Sequence, residues 1–392
     1  MFPAICHLGD VEHAITNRSE FVVARRDGYI AIDYRFTKPD SFGCLVTDQG
    51  GDLELALLRR ECRGIKFCAK TGRIIARPYA KSFNYRQKRE TEFDAIDWSR
   101  PFVVLEKLDG SMVHPTPIGG DLIFTTAMQD DGIAAAAGDF AHASRNANYV
   151  DFCREVVAQG ATPIFEFRSP RYPRVIPCAE ESLVLTGMRK LVSGSIVDYD
   201  DMRQHAGPWG IPVVKAWTGP GTRDIEDIVA YVAERHGIEG CVLRFDDGTM
   251  LKIKSNLYNR LHWALDGLRF EKNAVRIVLE QRDDDLLPAL PAAVSQRLAE
   301  FAGQIRQGLQ DRAWEIEKYT IQKRCQIGGD RKEFARLVGN DLPTIAHPVA
   351  FAVWKGACAL NELEALVLRH TGSDADLEKV RPLWGHARWR VA

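Results

Sequence analysis

The chain of 392 residues lacks several features that would assign it to a common class of protein. No run of about 18 uninterrupted apolar residues is present, and the N-terminus lacks a basic region followed by an apolar run. The nine cysteines include no C-x-x-C pair, which favours reduced thiols over disulfides or a zinc site. We therefore expect a globular cytoplasmic protein without a membrane span or a secretory signal.

An excess of charge is also missing. The formal net charge is −1, which excludes the global attraction to nucleic acid of a strongly basic protein. The charge is nevertheless uneven, because basic residues recur between Arg59 and Arg89 and Glu61 is the only acidic residue among them. Such a cluster can hold polyphosphate or a nucleic-acid backbone, or it can form a solvated strand face.

The length and the hydrophobic pattern predict two domains. From about residue 20 to 258 short β-rich runs are broken by Gly, Pro and Asp, with helices expected at Gly132 to Ala158 and Arg223 to His236. After Tyr258 the pattern changes to long amphipathic stretches such as Leu261 to Arg282 and Ala292 to Lys323. We expect an α+β domain of antiparallel sheets flanked by helices, residues 1–262, and an all-α domain, residues 263–392.

A lysine two residues before Asp-Gly is the most informative local feature, in Glu106-Lys107-Leu108-Asp109-Gly110-Ser111. By itself the signal is weak, since average residue usage gives such a string by chance in about one in ten chains of this length. The predicted strand Phe102 to Glu106 and the Asp109-Gly110 turn would project the amine of Lys107 into a cleft. A lysine amine has an ordinary pKa of about 10.4, so a nucleophilic lysine needs neighbouring cations, a metal ion or desolvation.

Further charged side chains downstream suit a nucleoside triphosphate. Glu166 lies between two phenylalanines in an apolar strand, where a carboxylate must be paired, bound to a hydroxyl or ligated to a metal. Glu239 precedes Gly240 and a strand, and its oxygens suit Mg²⁺. Lys252 and Lys254 alternate on one strand face and can neutralise phosphates. Solvated strand edges and a surface turn are the alternative interpretations.

These strings together resemble the motifs of covalent nucleotidyltransferases, the superfamily of polynucleotide ligases and mRNA-capping enzymes. Within it the chain most closely resembles the phage RNA ligase 1 family, the ATP-dependent tRNA-repair type. Glu61-Cys62-Arg63-Gly64-Ile65-Lys66-Phe67 is similar to its E-C-R-G-I-x-F element, and Arg77-Pro78-Tyr79-Ala80-Lys81-Ser82-Phe83-Asn84 to its R-P-x-x-K-F-F-N element. Gly329 to Ala335 is similar to a segment of its helical domain.

The resemblance implies an ATP-grasp-like nucleotidyltransferase domain, followed by a helical domain that recognises tRNA. Lys107 would be the nucleophile that carries AMP, and Lys252 and Lys254 would act on the triphosphate and on the AMP phosphate. The other residues that the resemblance assigns to ATP are Arg63, Lys81, Glu106, Asp109, Gly110, Glu166, Glu239 and Tyr258. Among these, Glu166 and Glu239 would also hold Mg²⁺ or Mn²⁺.

The sequence departs from the family after the predicted strand Leu122 to Thr126. The family has a phosphate-binding lysine there, whereas this chain has Ala127 and Met128, and Arg174 is a candidate replacement. In the helical domain, Asp284 and Asp285 could bind a structural divalent ion, although a charged helix end is the favoured interpretation.

The activity implied is the sealing of RNA 5′-phosphate and 3′-hydroxyl ends. Lys107 would attack ATP, AMP would pass to the 5′-phosphate, and the 3′-hydroxyl would displace AMP. The substrate implied is nicked tRNA in a bacterial or phage-infected cell. No G-x-x-x-x-G-K-[ST] string is present, so a separate kinase-phosphatase would have to heal the ends.

Three alternatives stay open on the sequence. An mRNA capping guanylyltransferase and a DNA ligase also use Lys-x-Asp-Gly, but each normally carries an OB-fold where this chain has helical periodicity. An inert relative would bind nucleotide or RNA without forming covalent AMP on Lys107.

Overall fold

The computed structural model describes residues 2–46, 52–128, 132–145, 147–218, 224–288 and 290–389. The chain divides into two compact units, Met1–Tyr258 and Asn259–Ala392. The sequence led us to expect a boundary after residue 262, and the observed division lies in the same helix, Asn256–Gly267.

The first unit contains three four-stranded sheets among its described residues. In chain order the strands are β1 (Phe21–Arg25), β2 (Tyr29–Tyr34), β3 (Ile65–Cys68), β4 (Ile74–Ala76), β5 (Phe83–Asn84), β6 (Phe102–Lys107), β7 (Ser111–Ile118), β8 (Asp121–Thr125), β9 (Ala161–Arg168), β10 (Ser182–Lys190), β11 (Gly240–Phe245) and β12 (Met250–Lys254). The sheet orders are β1-β2-β3-β4, β10-β9-β7-β8 and β5-β12-β11-β6. Neighbouring strands are antiparallel except β5 and β12, which are parallel.

Helices flank these sheets, which confirms the predicted α+β class. They are α1 (Gly9–Ile15), α2 (Leu53–Glu61), α3 (Gly132–Ala143), α4 (Tyr149–Ala158), α5 (Tyr199–Ala206) and α6 (Ile225–Ala233). The alanine-rich stretch that was expected to be helical throughout forms α3 and α4, because Asn148 leaves the helical conformation and its side chain accepts a hydrogen bond from Asp151 N at 3.2 Å. Of the expected helix Arg223 to His236, Arg223 lies outside the described residues.

The second unit is helical in its described residues, as predicted. Its helices follow α7 (Asn256–Gly267) and are α8 (Glu271–Leu279), α9 (Asp283–Leu286), α10 (Ala292–Gln326), α11 (Arg331–Asp341), α12 (His347–Trp354), α13 (Ala359–Arg369) and α14 (Asp374–Val380). Its core follows the helical period along α10, with Leu298, Phe301, Ile305 and Leu309 buried. The predicted continuous stretch Leu261 to Arg282 is interrupted, because Phe270 is extended.

No helix in the described ranges is both long enough and apolar enough to cross a membrane.

One buried carboxylate ties α2 to two sheets of the first unit. Glu61 Oε2 accepts from Arg77 Nε at 3.0 Å, and Glu61 Oε1 lies 2.7 Å from Arg189 Nη2. Burial alone would raise the pKa of Glu61, but the guanidinium groups of Arg189 and Arg77 outweigh it and hold that pKa below its ordinary value. Arg77 therefore supports the fold rather than a polyphosphate surface.

Candidate active site

Lys107 is the last residue of β6, and the five residues 107–111 lead directly into β7. Because β6 and β7 belong to different sheets, this crossing segment joins two sheets. In its own sheet Lys107 is paired with Gly240 of β11, and Gly240 is paired on its other side with Lys254 of β12. The register thus places the two lysines on either side of Gly240 and next to Glu239.

Glycine is required at position 240. Its φ is +150°, and a Cβ would lie 2.0 Å from the carbonyl oxygen of Ile253 and 2.8 Å from the Cα of Lys254. No side chain fits between these backbones without moving a strand. The position therefore requires glycine for the close approach of β11 and β12 at the site.

Glu239 is bound by both flanking lysines. Its Oε2 lies 2.7 Å from Lys107 Nζ and its Oε1 lies 3.0 Å from Lys254 Nζ. The Glu239 side chain is 4% exposed, whereas those of Lys107 and Lys254 are 20% and 21% exposed. The carboxylate is thus buried under two amines that still reach solvent.

Asp109 anchors the crossing segment. One of its oxygens accepts from the hydroxyl of Tyr258 at 2.8 Å, and the other accepts from the backbone N–H of Ile176 at 2.6 Å. Lys254 Nζ lies 4.8 Å from the centre of the Tyr258 ring. Burial raises the pKa of Tyr258, and the carboxylates of Glu239 and Asp109 raise it further, so its hydroxyl remains a donor.

A cleft opens beside Lys107. Its lining combines apolar and charged side chains from β6, β11, β12, β9 and the segments around them. The lining residues are Arg63, Tyr79, Ser82, Leu105, Glu106, Lys107, Leu108, Met112, Glu166, Thr186, Val214, Val242, Met250 and Lys252. Four of the charged residues predicted for the nucleotide, besides Lys107 itself, therefore line one cleft.

Glu166 faces this cleft from β9, where it is paired with Met112 of β7. Burial raises the pKa of Glu166 to about 7, Lys107 lowers it, and Glu239 adds to the rise. The negative charge of Glu239 thus contributes to the raised pKa of Glu166. A divalent cation would offset the repulsion between them.

The sequence predicted that these two carboxylates hold a cation delivered with a nucleotide. In the portion of the chain that the structure describes, no group of three or more His, Cys, Asp or Glu side chains could hold a metal ion by itself. Mg²⁺ is commonly bound through one or two carboxylates together with substrate phosphates and water. Glu166 and Glu239 supply oxygen ligands of that kind.

Lys252 lies among cations. Its amine donates to the carbonyl oxygen of Ser82 at 3.1 Å. Burial lowers the pKa of Lys252 well below its ordinary value, and the nearby charges of Arg63 and Lys107 lower it further. A bound phosphate would raise the pKa of Lys252, because an anion favours the charged amine.

Arg63 and Lys81 occupy different places. Arg63 lines the cleft, and its guanidinium donates to Tyr79 O at 3.4 Å. Lys81 lines a neighbouring cavity instead. Its amine donates to Tyr34 Oη at 3.0 Å and lies within 5.7 Å of the rings of Tyr34, Phe42 and Phe83. In this structure the aromatic rings hold Lys81 beside the cleft.

Asp284 and Asp285 are exposed in the short helix α9, whereas Asp283 is buried and accepts from Arg306 Nη2 at 2.7 Å. The two exposed carboxylates stand in the first turn of the helix, where negative charge is favourable.

The burial of Lys66 was not predicted from the sequence. Its side chain in β3 is fully buried, and its amine donates to Thr126 O at 2.8 Å and to Ala127 O at 3.3 Å. The same amine lies 3.0 Å from His114 Nε2. Burial lowers the pKa of Lys66 to about 7. The family has a lysine after β8 that this chain lacks. The amine of Lys66, from β3, lies beside that segment in the structure, although it is buried.

Comparisons with known proteins agree on one family. A family model described as RNA ligase matches residues 61–258. A Thermovibrio ammonificans protein whose name includes "RNA ligase" is 29% identical over 290 residues, which cover 71% of each chain. RNA ligase 1 of bacteriophage TS2126 is 26% identical over 264 residues, which cover 64% of this chain and 63% of the phage protein.

Solved structures give a more distant likeness. A structure described as an archaeal ATP-dependent RNA ligase, form 2, is 14% identical, with 76% of this chain and 75% of that chain covered and a TM-score of 0.43. A mutant of the Naegleria gruberi RNA ligase with ATP and Mn is 15% identical, with 42% of this chain and 52% of that chain covered and a TM-score of 0.35.

Proposed function

The chain belongs to the RNA ligase family of enzymes, and from that premise we propose that it is an ATP-dependent ligase that seals RNA 5′-phosphate and 3′-hydroxyl ends through lysyl-AMP on Lys107. The observation that supports this most is the position of Lys107 at the end of β6. There Lys107 lines a cleft together with Arg63, Glu166 and Lys252.

Three displacements at phosphorus make up the reaction. The neutral amine of Lys107 attacks the α-phosphorus of ATP, a nitrogen–phosphorus bond forms, and pyrophosphate leaves. An oxygen of the RNA 5′-phosphate then attacks the same phosphorus, the nitrogen–phosphorus bond breaks, and adenylated RNA results. Finally the 3′-hydroxyl attacks the RNA 5′-phosphorus, a phosphodiester forms, and AMP leaves.

The residues of the cleft contribute position and charge, which is what phosphoryl transfer requires of a protein. Lys252, Lys254 and Arg63 would neutralise the triphosphate and then the AMP phosphate. Glu106 would contact the nucleoside, and Glu166 the ribose hydroxyls. Glu166 and Glu239 would hold Mg²⁺ or Mn²⁺, which supplies charge neutralisation for the phosphates when bound. Asp109, Gly110 and Tyr258 would keep the crossing segment in place, and Lys81 would reach the nucleotide from its aromatic surroundings.

A labelling and joining experiment tests this proposal. A 5′-labelled monophosphate RNA is incubated with Mg²⁺ and either ATP or GTP, beside a DNA of the same sequence and the variant Lys107→Ala, and the products are separated by denaturing electrophoresis. We expect circular or adenylated RNA with ATP, and none with Lys107→Ala. GTP dependence would favour a capping enzyme, and joining of DNA alone would favour a DNA ligase. ATP binding without covalent AMP would favour an inert relative.

We further propose that the helical unit selects nicked tRNA, whose ends a separate kinase-phosphatase prepares. Its helix α10 exposes Trp314, which is 61% exposed, and the amine of Lys318 lies 4.7 Å from the centre of that ring. Aromatic and basic side chains of this kind stack on bases and bind phosphates. Trp314→Ala should reduce kcat/KM for nicked tRNA but not for a short linear RNA, and Glu315→Ala, at the next position, is the matched control. Equal reduction on both RNAs would contradict tRNA selection.

The nine cysteines, all in described residues, are unpaired. Because disulfides are rare in reducing compartments, this supports the proposal that the protein works in the cytoplasm of a bacterial or phage-infected cell.

A further inference from the structure

A loop with three arginines follows the strand that carries Glu166. Arg168 ends β9, and Arg171 and Arg174 follow at intervals of three residues before β10 begins. We call residues 168–181 the arginine loop. The three arginines thus follow Glu166 within eight residues of the chain.

The arginine loop is bound to the crossing segment at adjacent points. Arg174 Nη2 donates to Ser111 Oγ at 2.7 Å, and the N–H of Ile176 donates to Asp109 Oδ2 at 2.6 Å. Arg168 lies close to Gly110. A Cβ at position 110 would lie 2.9 Å from Arg168 Cγ and 2.5 Å from the carbonyl oxygen of Phe167. The loop and the segment that carries Lys107 therefore hold each other in position.

The charge of these arginines is not matched by a carboxylate in the described ranges. The hydroxyl that Arg174 binds is neutral, and Arg174 is exposed to solvent. Arg168 Nε is buried and has no hydrogen-bond partner among the described residues. Of the two acidic residues at the end of the loop, Glu180 is exposed and Glu181 accepts from Ser169 instead. Guanidinium groups without a carboxylate partner are suited to bind a phosphate.

The position of the loop distinguishes its ligand from ATP. The cleft that we assign to the nucleotide is lined by Arg63, Lys107 and Lys252, and Arg168 and Arg174 are not among its lining residues. They stand instead at the Ser111 end of the crossing segment. In-line displacement requires the attacking oxygen to approach the AMP phosphorus opposite Lys107 Nζ, on the side from which pyrophosphate has already left.

We propose that Arg174, together with Arg168, binds the 5′-terminal phosphate of the RNA that accepts AMP from Lys107. This inference rests on the proposed function. An oxygen of that phosphate forms a bond to the AMP phosphorus while the bond to Lys107 Nζ breaks, and the released amine takes up a proton. Arg174 neutralises the attacking phosphate and orients it, and no oxidant or further reactant is needed.

The test separates the first reaction from the second in the full-length protein. Lysyl-AMP formation from labelled ATP is measured without RNA. The isolated lysyl-AMP protein is then mixed with 5′-phosphate RNA, and transfer of AMP is followed in a single turnover over a range of RNA concentrations. Arg174→Ala and Arg174→Lys are compared with Arg171→Ala, which removes an exposed arginine of the same loop that lies over the Tyr172 ring.

We expect Arg174→Ala to form lysyl-AMP within about twofold of the wild-type rate and to transfer AMP roughly 10- to 100-fold more slowly at low RNA concentration, the loss typical of one charge-assisted hydrogen bond. Arg174→Lys should recover part of the transfer, and Arg171→Ala should behave as wild type. A 5′-hydroxyl RNA should compete less well than a 5′-phosphate RNA with the wild type, and the two should compete equally with Arg174→Ala.

Three results would overturn the inference. Slower lysyl-AMP formation in Arg174→Ala would assign Arg174 to the triphosphate of ATP. Unchanged transfer of AMP in Arg174→Ala, with the preference for a 5′-phosphate retained, would show that Arg174 does not bind the RNA phosphate. The absence of lysyl-AMP in the wild type would reject the proposed function, and this inference with it.

Discussion

Glu239 Oε2 lies 2.7 Å from Lys107 Nζ, so one buried carboxylate holds the amine that we propose as the nucleophile. To attack phosphorus, the amine must point at the nucleotide and away from Glu239. The pair must therefore open before the first reaction, and Lys254, on the other oxygen of Glu239, keeps the carboxylate in place when it does.

Replacing Glu239 should impair the first reaction more than the fold. Glu239→Ala removes the shared partner of Lys107 and Lys254 and one of the two candidate metal ligands, and we expect lysyl-AMP formation to fall about 10- to 100-fold. The measurement is the rate at which labelled AMP from ATP becomes attached to protein. Glu180→Ala, which removes an exposed carboxylate, should leave that rate unchanged. A rate within twofold of the wild type in Glu239→Ala would contradict the role.

The pH dependence of lysyl-AMP formation should report on Glu166. Burial raises the pKa of Glu166 to about 7, so the carboxylate is mostly protonated at about pH 6 and mostly ionised at about pH 8. Because the ionised form is the one that binds a cation, the rate at low Mg²⁺ should rise about tenfold over this range. Glu166→Gln should be slower and should lack the rise. The same inflection in the variant would assign it to another group.

The buried amine of Lys66 should make stability depend on pH in the alkaline range. The pKa of Lys66 is about 7 in the folded protein and about 10.4 in an unfolded chain, so between these values the unfolded state binds more protons. The free energy of unfolding of the wild type should therefore rise with pH there, by up to about 1.4 kcal/mol per pH unit, relative to that of Lys66→Met. Urea unfolding of the wild type and of Lys66→Met at about pH 7.5 and 9.5 gives the difference in their free energies of unfolding at each pH. Equal differences would show that the amine is charged in both states.

Glu61, the carboxylate that binds both Arg77 and Arg189, should be essential to the stability of the first unit. Glu61→Gln leaves two buried guanidinium groups without a counter-charge, and we expect the free energy of unfolding to fall by about 3–5 kcal/mol. Denaturant unfolding measures the loss. Glu54→Gln on the exposed side of the same helix is the control and should change it by less than about 0.5 kcal/mol. A similar small change in Glu61→Gln would show that water replaces the carboxylate.

Much of the first unit could be predicted from the sequence, because its strands are short apolar runs bounded by turn residues. The strand β7 was missed, since it contains Pro115 and Pro117. Both prolines lie beyond the part of β7 that pairs with β9, which covers Ser111 to Val113. Prolines are tolerated where a strand edge has no partner for their missing N–H, and pairing of that kind cannot be read from one strand alone.

The family and the fold class were also predicted correctly, because both depend on local strings and on hydrophobic period. The roles of individual site residues stay predictions. Contacts between distant residues were beyond the sequence: the Lys66 amine meets the carbonyls of Thr126 and Ala127 across two sheets. Neither the burial of Lys66 nor the aromatic rings around Lys81 follows from spacing along the chain.

The crossing segment attaches Lys107 to two sheets. Its first residue, Lys107, belongs to one sheet, and its last, Ser111, to another, so a small rotation between the sheets would move the amine relative to Glu166. Two hydrogen bonds from the arginine loop to Asp109 and Ser111 add a third attachment. A ligand that displaces that loop would thereby shift Lys107 without touching it.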